Sequence, residues 1–366
     1  MIVNRLNFMK IHFMRKGLVI STVFLTLLGL IMIYSSSWVY SDIYYGNSYY
    51  ILLKQAIAAV IGAVVFTVCA RMDYHFLIQW SEVWLLLGVL ATALTLIPSL
   101  SSEGRWIDLG LFTFQPTEAL KFGLILWVTR TVHEKGRLIR RNFIEGILPF
   151  FVVTGIISLF TLSQPDFSMT MLYVSTVFVM LFLAGAHLKD LGKVVLAALP
   201  LLGGLMVIAP YRFERLVSFL QPSADKLGSG YQLLQSLTAI GAGGVFGRGL
   251  GQSVGKLFYV PSAYNDFIYS IIGEELGFVG AVLVLGLFCY LGYLGLRLAV
   301  NTEDPQGKLL AGGITFVLVF QAFLNFCVTL GLVPVTGLTL PFVSYGGSSL
   351  IVTLAMVGTL VSIARQ

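Results

Sequence analysis

The run Gly17-Leu-Val-Ile-Ser-Thr-Val-Phe-Leu-Thr-Leu-Leu-Gly-Leu-Ile-Met-Ile-Tyr34 carries no charge and follows four cations, Arg5, Lys10, Arg15 and Lys16. A helix rising ~1.5 Å per residue needs about 20 apolar residues to cross a hydrocarbon core of ~30 Å, and this run is of that size. No Ala-x-Ala site follows it, so it reads as a retained first helix rather than a cleaved leader.

Windows of the same kind recur along the chain, near 17–37, 51–70, 76–97, 115–133, 146–163, 167–186, 193–210, 265–298, 309–332 and 349–364. Hydrophobic residues make up 57% of the 366 and charged residues 11%, against about 25% charged in soluble proteins. So little charge excludes a soluble enzyme, a disordered chain and a nucleic-acid binder. The expected fold class is an all-α polytopic membrane protein of about ten transmembrane helices, with 1–366 as one integral-membrane domain.

The charges set the expected orientation. Of 23 Lys and Arg, 15 fall at the amino terminus, in the polar breaks around residues 71, 130–141, 189–193 and 297–308, or at Arg365. Five of the other eight, at 212, 215, 226, 248 and 256, lie in the long segment 211–264, and long loops translocate regardless of charge. The comparison becomes 15 against three, which places both termini in the cytoplasm and 211–264 as a large extracytoplasmic loop between helices 7 and 8. The net charge of +6 therefore reads as topology, with no nucleic-acid partner. Cys69, Cys289 and Cys327 are odd in number and lie in or beside apolar runs, which argues against a disulfide framework.

Some motifs fail their own requirements. Gly251-Gln252-Ser253-Val254-Gly255 matches a nucleophile elbow, but all four His (12, 75, 133 and 187) fall on the other expected side of the membrane or at its edge. Gly255-Lys256 lacks the Gly at 250 and the hydroxyl at 257 that a phosphate loop requires. The His and Cys show no zinc-ligand spacing. Gly273-x-x-x-Gly277 reads as close helix packing.

The informative residues are ionisable groups at the outer ends of spans, where each is costly. Gln115-Pro116-Thr117-Glu118 begins a helix, with Pro and an acid in the favoured first-turn positions. Glu118 and Lys121 are three apart and share a face, so the plainer reading is a self-neutralising pair. Arg105-Trp106 sets a fixed cation beside an amphipathic ring. Asp166 starts the sixth span, where a simple cap is the plainer reading. Arg212 and Arg215, three apart, could grip a phosphate or diphosphate or anchor at lipid headgroups. Asp266 stands at the mouth of the eighth span, where it is a candidate reactive carboxylate or an ordinary N-cap. Glu274 lies ~80° round that helix from Asp266, about 12 Å deeper, and Glu275 lies ~180° round. Both read as buried structural partners of polar groups elsewhere.

These stretches resemble the SEDS family (shape, elongation, division and sporulation proteins). The matching segments are Gly104 to Gly110, Gln115 to Lys121, Gln164-Pro165-Asp166, Tyr231 to Leu237 with Ala239-Ile240-Gly241, Asp266-Phe267-Ile268 with Ile272 to Gly277, and Pro334 to Ser349. The resemblance covers essentially the whole chain from the first span and is nearer to the division and sporulation branches than to the elongation branch. Tyr264-Asn265 replaces the family's usual His-Thr, which removes a His near the aspartate, and Ser270 stands where Ala is common.

The resemblance implies a peptidoglycan glycosyltransferase that polymerises lipid II at the outer face of the bacterial cytoplasmic membrane, during division or elongation. Asp266 falls on the family's essential aspartate and would act as general base. Arg212, Arg215, Lys121 and Arg105, with Trp106, Glu118, Asp166, Lys256 and Ser344, form the candidate substrate-binding set. A divalent cation such as Mg or Mn is a further candidate at the diphosphate. The implied partners are a class B penicillin-binding protein and other division or elongation membrane proteins. The rival readings are a lipid II flippase or transporter, for which no inverted internal repeat is evident, and a non-catalytic division scaffold.

Overall fold

The structure, a computed structural model, describes residues 2–99, 101, 104–108, 110, 113–164, 166–208, 210–225 and 228–366. Within these, the side chains of 2–12, 201, 202, 205–208, 210–212 and 224 are not described. The expectations placed on Arg5, Lys10, His12 and Arg212 as side chains, and on Pro165, lie outside the described residues.

Fourteen helices and one small hairpin make up the described chain. The order is α1 (Ile2–Tyr45), α2 (Tyr50–Arg71), α3 (Tyr74–Gln79), α4 (Ser81–Leu94), β1 (Ile107–Asp108), β2 (Thr113–Phe114), α5 (Pro116–Ile139), α6 (Phe143–Gly146), α7 (Leu148–Ser163), α8 (Phe167–Leu183), α9 (Leu188–Ile208), α10 (Pro210–Leu220), α11 (Ser229–Gly243), α12 (Ile268–Asn301), α13 (Pro305–Thr329) and α14 (Gly347–Ile363). Each of the ten apolar windows is occupied by helix. Among the described residues, four helices can cross a membrane by length and composition: Phe13–Tyr45, Tyr50–Arg71, Ile268–Asn301 and Pro305–Thr329. Four shorter apolar helices, Ser81–Leu94, Leu148–Ser163, Phe167–Leu183 and Gly347–Ile363, accompany them. In a bilayer every backbone polar group must be satisfied within the chain, so helices are the form these apolar windows take.

The centre of the bundle is α13 with α14, α12, α5 and α8 around it. α14 lies along α2, α12 against α13 and α11, and α1 against α12 and α2. The outward faces of α1, α2 and α4 carry exposed aliphatic side chains such as Ile20, Val60 and Leu86, as lipid-facing surfaces do.

Three expectations change. The window 76–97 begins as the short α3 and turns at Trp80 into α4. Residues 211–264, expected as a large loop between helices 7 and 8, carry secondary structure of their own: α10, a 3₁₀ turn at Pro222–Ala224, α11 and a π-helical turn at Gly255–Tyr259. Hydropathy alone missed these because the segment is amphipathic and rich in Gly, so its helices do not read as apolar runs.

The third change concerns the eighth window, where α12 is broken at Gly277 (φ 69, ψ −168). An unbroken helix would bond the amides of Phe278 and Val279 to the carbonyls of Glu274 and Glu275. Those amides instead reach the carbonyls of Gly244 and Val245, at 2.9 and 3.1 Å. The freed carbonyls of Glu274 and Glu275 accept from the amides of Arg248 and Gly249, both at 3.0 Å. The exchange interlocks residues 244–249 with α12 and leaves none of these eight groups unpaired, as a buried break requires. A Cβ on Gly277 would overlap the Gly247 amide, and one on Gly247 would overlap the Glu275 carbonyl. The expected close packing at Gly273 is present, against Ile240 and Gly243 of α11.

Candidate active site

The site is built where the chain enters α12. Residues 264–266 have every main-chain carbonyl held from the α13–α14 side. Tyr264 O accepts from the Tyr345 amide at 3.0 Å, Asn265 O from Ser344 Oγ at 2.7 Å, and Asp266 O from Asn325 Nδ2 at 2.8 Å. Asn325 also donates to Leu338 O at 2.8 Å. Gln55 of α2 clamps the far side of this segment, donating to Ser344 O at 3.3 Å and accepting from the Gly346 amide at 3.1 Å. Ser262 (φ 53), and Phe342 (φ 66) with its buried ring, hold left-handed backbone in the two segments that meet here. Such strain persists only where surrounding structure over-determines it.

Asp266 does not cap its helix. α12 begins at Ile268 after Phe267, and no side chain bonds its first amides. The residue itself keeps some exposure, but its Oδ1 is buried without a protein donor, as are Oδ1 of Asn265 and Oδ1 of Asn325. Buried oxygens are normally hydrogen-bonded, so three such acceptors in one neighbourhood mark a place suited to hydroxyl or amide donors from a ligand.

Burial raises the Asp266 carboxyl to about 6, and the neighbouring Asp166 carboxylate pushes the same way; Arg215 and Arg105 oppose both. Asp166 is also raised, chiefly by burial, although its Oδ1 accepts from the Met169 amide at 3.1 Å as a true N-cap and Arg105 and Arg215 favour its charge. Two carboxylates and two guanidiniums thus share one field. Arg105 is oriented by Nε donating to Gln164 O at 2.6 Å, just ahead of the β1–β2 hairpin, with Trp106 half-buried beside it. Arg215 reaches in from α10, with Nη1 3.3 Å from Val335 O. Arg212 occupies the same helix.

Other candidates are used inside the protein. Lys121 and Glu118 form the expected pair at 2.6 Å, both buried, and Lys121 also donates to Gln321 Oε1 at 2.8 Å. Lys256 is buried and donates to Glu275 at 3.1 Å and Gly251 O at 2.6 Å. Glu275 accepts further from Ser35 of α1 at 2.6 Å. Glu274 accepts from Arg248 at 3.1 Å and from the Ser253 hydroxyl at 2.5 Å. The serine of the Gly-x-Ser-x-Gly match therefore fastens its own loop. The hydroxyl of Ser344 is likewise committed, to Asn265 O and to the Leu340 amide at 2.8 Å.

Asn325, Gln321 and Gln55 carry this architecture and were missed by a search for ionisable groups. Their signal was present: amides within apolar windows, Gln321 and Asn325 one helical turn apart.

Residues 16–366 match the FtsW/RodA/SpoVE family of cell cycle proteins. The chain belongs to this family. It is 39% identical over 352 residues to the stage V sporulation protein E of Bacillus subtilis (strain 168), covering 95% of this chain and 96% of that one. It is 38% identical over 351 residues to the probable peptidoglycan glycosyltransferase FtsW of Trichlorobacter lovleyi, covering 95% and 92%. A chain from a peptidoglycan synthase complex that coordinates polymerization and crosslinking superposes with a TM-score of 0.79 at 30% identity, covering 95% and 97%. The rod shape determining protein RodA of Thermus thermophilus does so at 0.69 and 28%, covering 95% and 96%. Family and helices together make the chain a multi-pass membrane protein.

Proposed function

We propose that this family member is a peptidoglycan glycosyltransferase that polymerises lipid II at the outer face of the bacterial cytoplasmic membrane, with Asp266 as general base. The carrying observation is the Asp266 carboxyl, raised towards neutrality and flanked by unpaired buried acceptors and two arginines. A general base works best with a pKa near the operating pH. In the reaction, the acceptor sugar oxygen bonds to the anomeric carbon of the donor while the bond from that carbon to the diphosphate breaks. The hydroxyl proton passes to Asp266, and undecaprenyl diphosphate departs with the electron pair.

Arg105 and Arg215 supply preorganised positive charge for the departing diphosphate. Arg212 is a further candidate from the same helix as Arg215. Asp166, held as an N-cap, keeps the Asp266 proton affinity high through its charge. Were a divalent cation to accompany the substrate phosphates, Asp166 would be the carboxylate to hold it, and it would supply further positive charge to the leaving diphosphate, with Asp266 left free as the base. Among the described residues no group of three or more His, Cys, Asp and Glu gathers to form a metal site. Lys121, Glu118, Lys256 and Ser344 support the scaffold, and Trp106 lies where a sugar or headgroup could rest.

The excess of Lys and Arg at the opposite end supports an outward-facing site. The proposed partner is a class B penicillin-binding protein, together with other division or elongation membrane proteins. Purified protein with that partner and lipid II, compared with Asp266→Asn, tests the reading. Glycan strands are expected from wild type and none from the variant. Polymer from the variant, or movement of lipid II between leaflets by wild type without polymer, would overturn it.

A further inference from the structure

A second site lies at the other end of the bundle. A cavity of about 540 Å³ opens between the last turns of α5, α8 and α12 and the first turns of α13. His133, Arg140 and Lys308 line it, and none of its lining residues is acidic. Of the acids close by in sequence, Glu134 pairs with Arg130 at 2.9 Å, Asp304 accepts from Tyr74 at 2.8 Å, and Glu303 lines a separate pocket with His75. Its walls are aliphatic and open sideways: Leu183, Leu296 and Val300 are 50, 55 and 74% exposed on the surface that faces lipid.

We propose that this cavity binds an anionic phospholipid of the leaflet opposite the Asp266 site, with the phosphate among the three basic side chains and the acyl chains along the exposed aliphatic wall. Two cations, Arg140 and Lys308, with no acid in the lining repel one another and favour an anion, and the His133 imidazole adds a polar hydrogen-bonding group beside them. A wall of exposed leucine and valine suits an occupant with an apolar body, which distinguishes a lipid from a soluble phosphate. Basic pockets between helices at a membrane face are suited to anionic headgroups. Gly136 leaves the cavity its room, because a Cβ built there meets nothing within 4 Å.

The test reads binding and does not depend on glycan synthesis. Purified protein in detergent is titrated with phosphatidylglycerol, phosphatidylcholine or glycerol 3-phosphate, and thermal unfolding and native mass spectra are followed. Phosphatidylglycerol should raise the wild-type midpoint and stay bound, and the other two should not. Arg140→Gln with Lys308→Gln should weaken the response about thirtyfold. Gly136→Leu fills the cavity, improves the helix and should abolish the response, with its midpoint in phosphatidylcholine unchanged or higher; this variant carries the test if the double variant is unstable. A wild-type response from both variants, or an equal response to glycerol 3-phosphate and intact lipid, would overturn the proposal.

Discussion

The side-chain amide of Asn325, deep in α13, donates at 2.8 Å to the main-chain carbonyl of Asp266, 59 residues away in sequence. With its second bond to Leu338 O, also 2.8 Å, this one side chain joins the start of α12 to the segment before α14. Replacing Asn325 with Ala leaves two buried carbonyls without that donor, at a cost of about 1–3 kcal/mol. Asn325→Ala should lower the unfolding midpoint, and it should reduce polymerisation further than the stability loss explains, because Asp266 is no longer held. Unaltered turnover in a folded variant would show that the tether is dispensable.

Protonation of Asp266 should govern the acid limb of the reaction. The general base must be unprotonated, so the rate should rise with pH through a midpoint of about 6 and level off above it. The stability effect has the opposite sign. The folded carboxyl holds its proton to a higher pH than the unfolded one, so the native state binds more protons between about 4 and 6 and loses stability as pH rises through that window. Asp266→Asn, inactive, should therefore be the more stable protein above pH 6, by about 1–2 kcal/mol once residual solvent contact is discounted. Calorimetry of the two proteins at about pH 3.5 and pH 8 checks this, since the difference should nearly vanish only below the ordinary carboxylate range and should be about half developed near pH 5.

Arg105→Ala and Arg215→Ala should separate charge stabilisation from simple binding. A guanidinium that meets the diphosphate mainly as it departs supports kcat more than KM. A tenfold or greater fall in kcat with little change in KM is expected for each. Both substitutions should also raise the midpoint of the acid limb, because both arginines now favour the ionised Asp266. An unmoved midpoint would place them away from the carboxylate.

Gly277→Ala should be among the most damaging single-methyl additions in the chain. The residue holds φ 69 and ψ −168, and the new methyl would overlap the Gly247 amide. The backbone exchange between 244–249 and α12 would have to open, exposing buried amides. Loss of folded protein in detergent, or early proteolysis within 244–256, is the expected result. Gly286→Ala, at a position in the same helix where a Cβ meets nothing within 4 Å, should be neutral or stabilising.

Several features were readable from composition and local pattern alone. The apolar windows mark helices because hydrophobic length and the demand for internal backbone pairing act on each segment separately. Pro116 at the start of α5 and the i, i+3 pairing of Glu118 with Lys121 follow from helix geometry, and Asp166 as N-cap follows from short-range hydrogen bonding. Placing Asp266 at the mouth of a helix needed only the point where polarity gives way to the eighth window. What Asp266 does there, other than capping, needed the fold.

Sequence by itself thus determined that this chain is a bundle of apolar helices, which ends of those helices carry charge, and which aspartate stands at a mouth. Only the tertiary structure decided that Arg105, Asp166 and Arg215 converge on that aspartate, and that Lys256 and Glu275 close a buried pair with Ser35 instead. It alone broke α12 at Gly277 and made Asn325 the tether. The physical reason is range: periodicity and capping act over one or two helical turns. Desolvation and charge pairing act between residues separated by 19 to 240 positions, as for Lys256 and Ser35 against Glu275, and they exist only once the helices have packed.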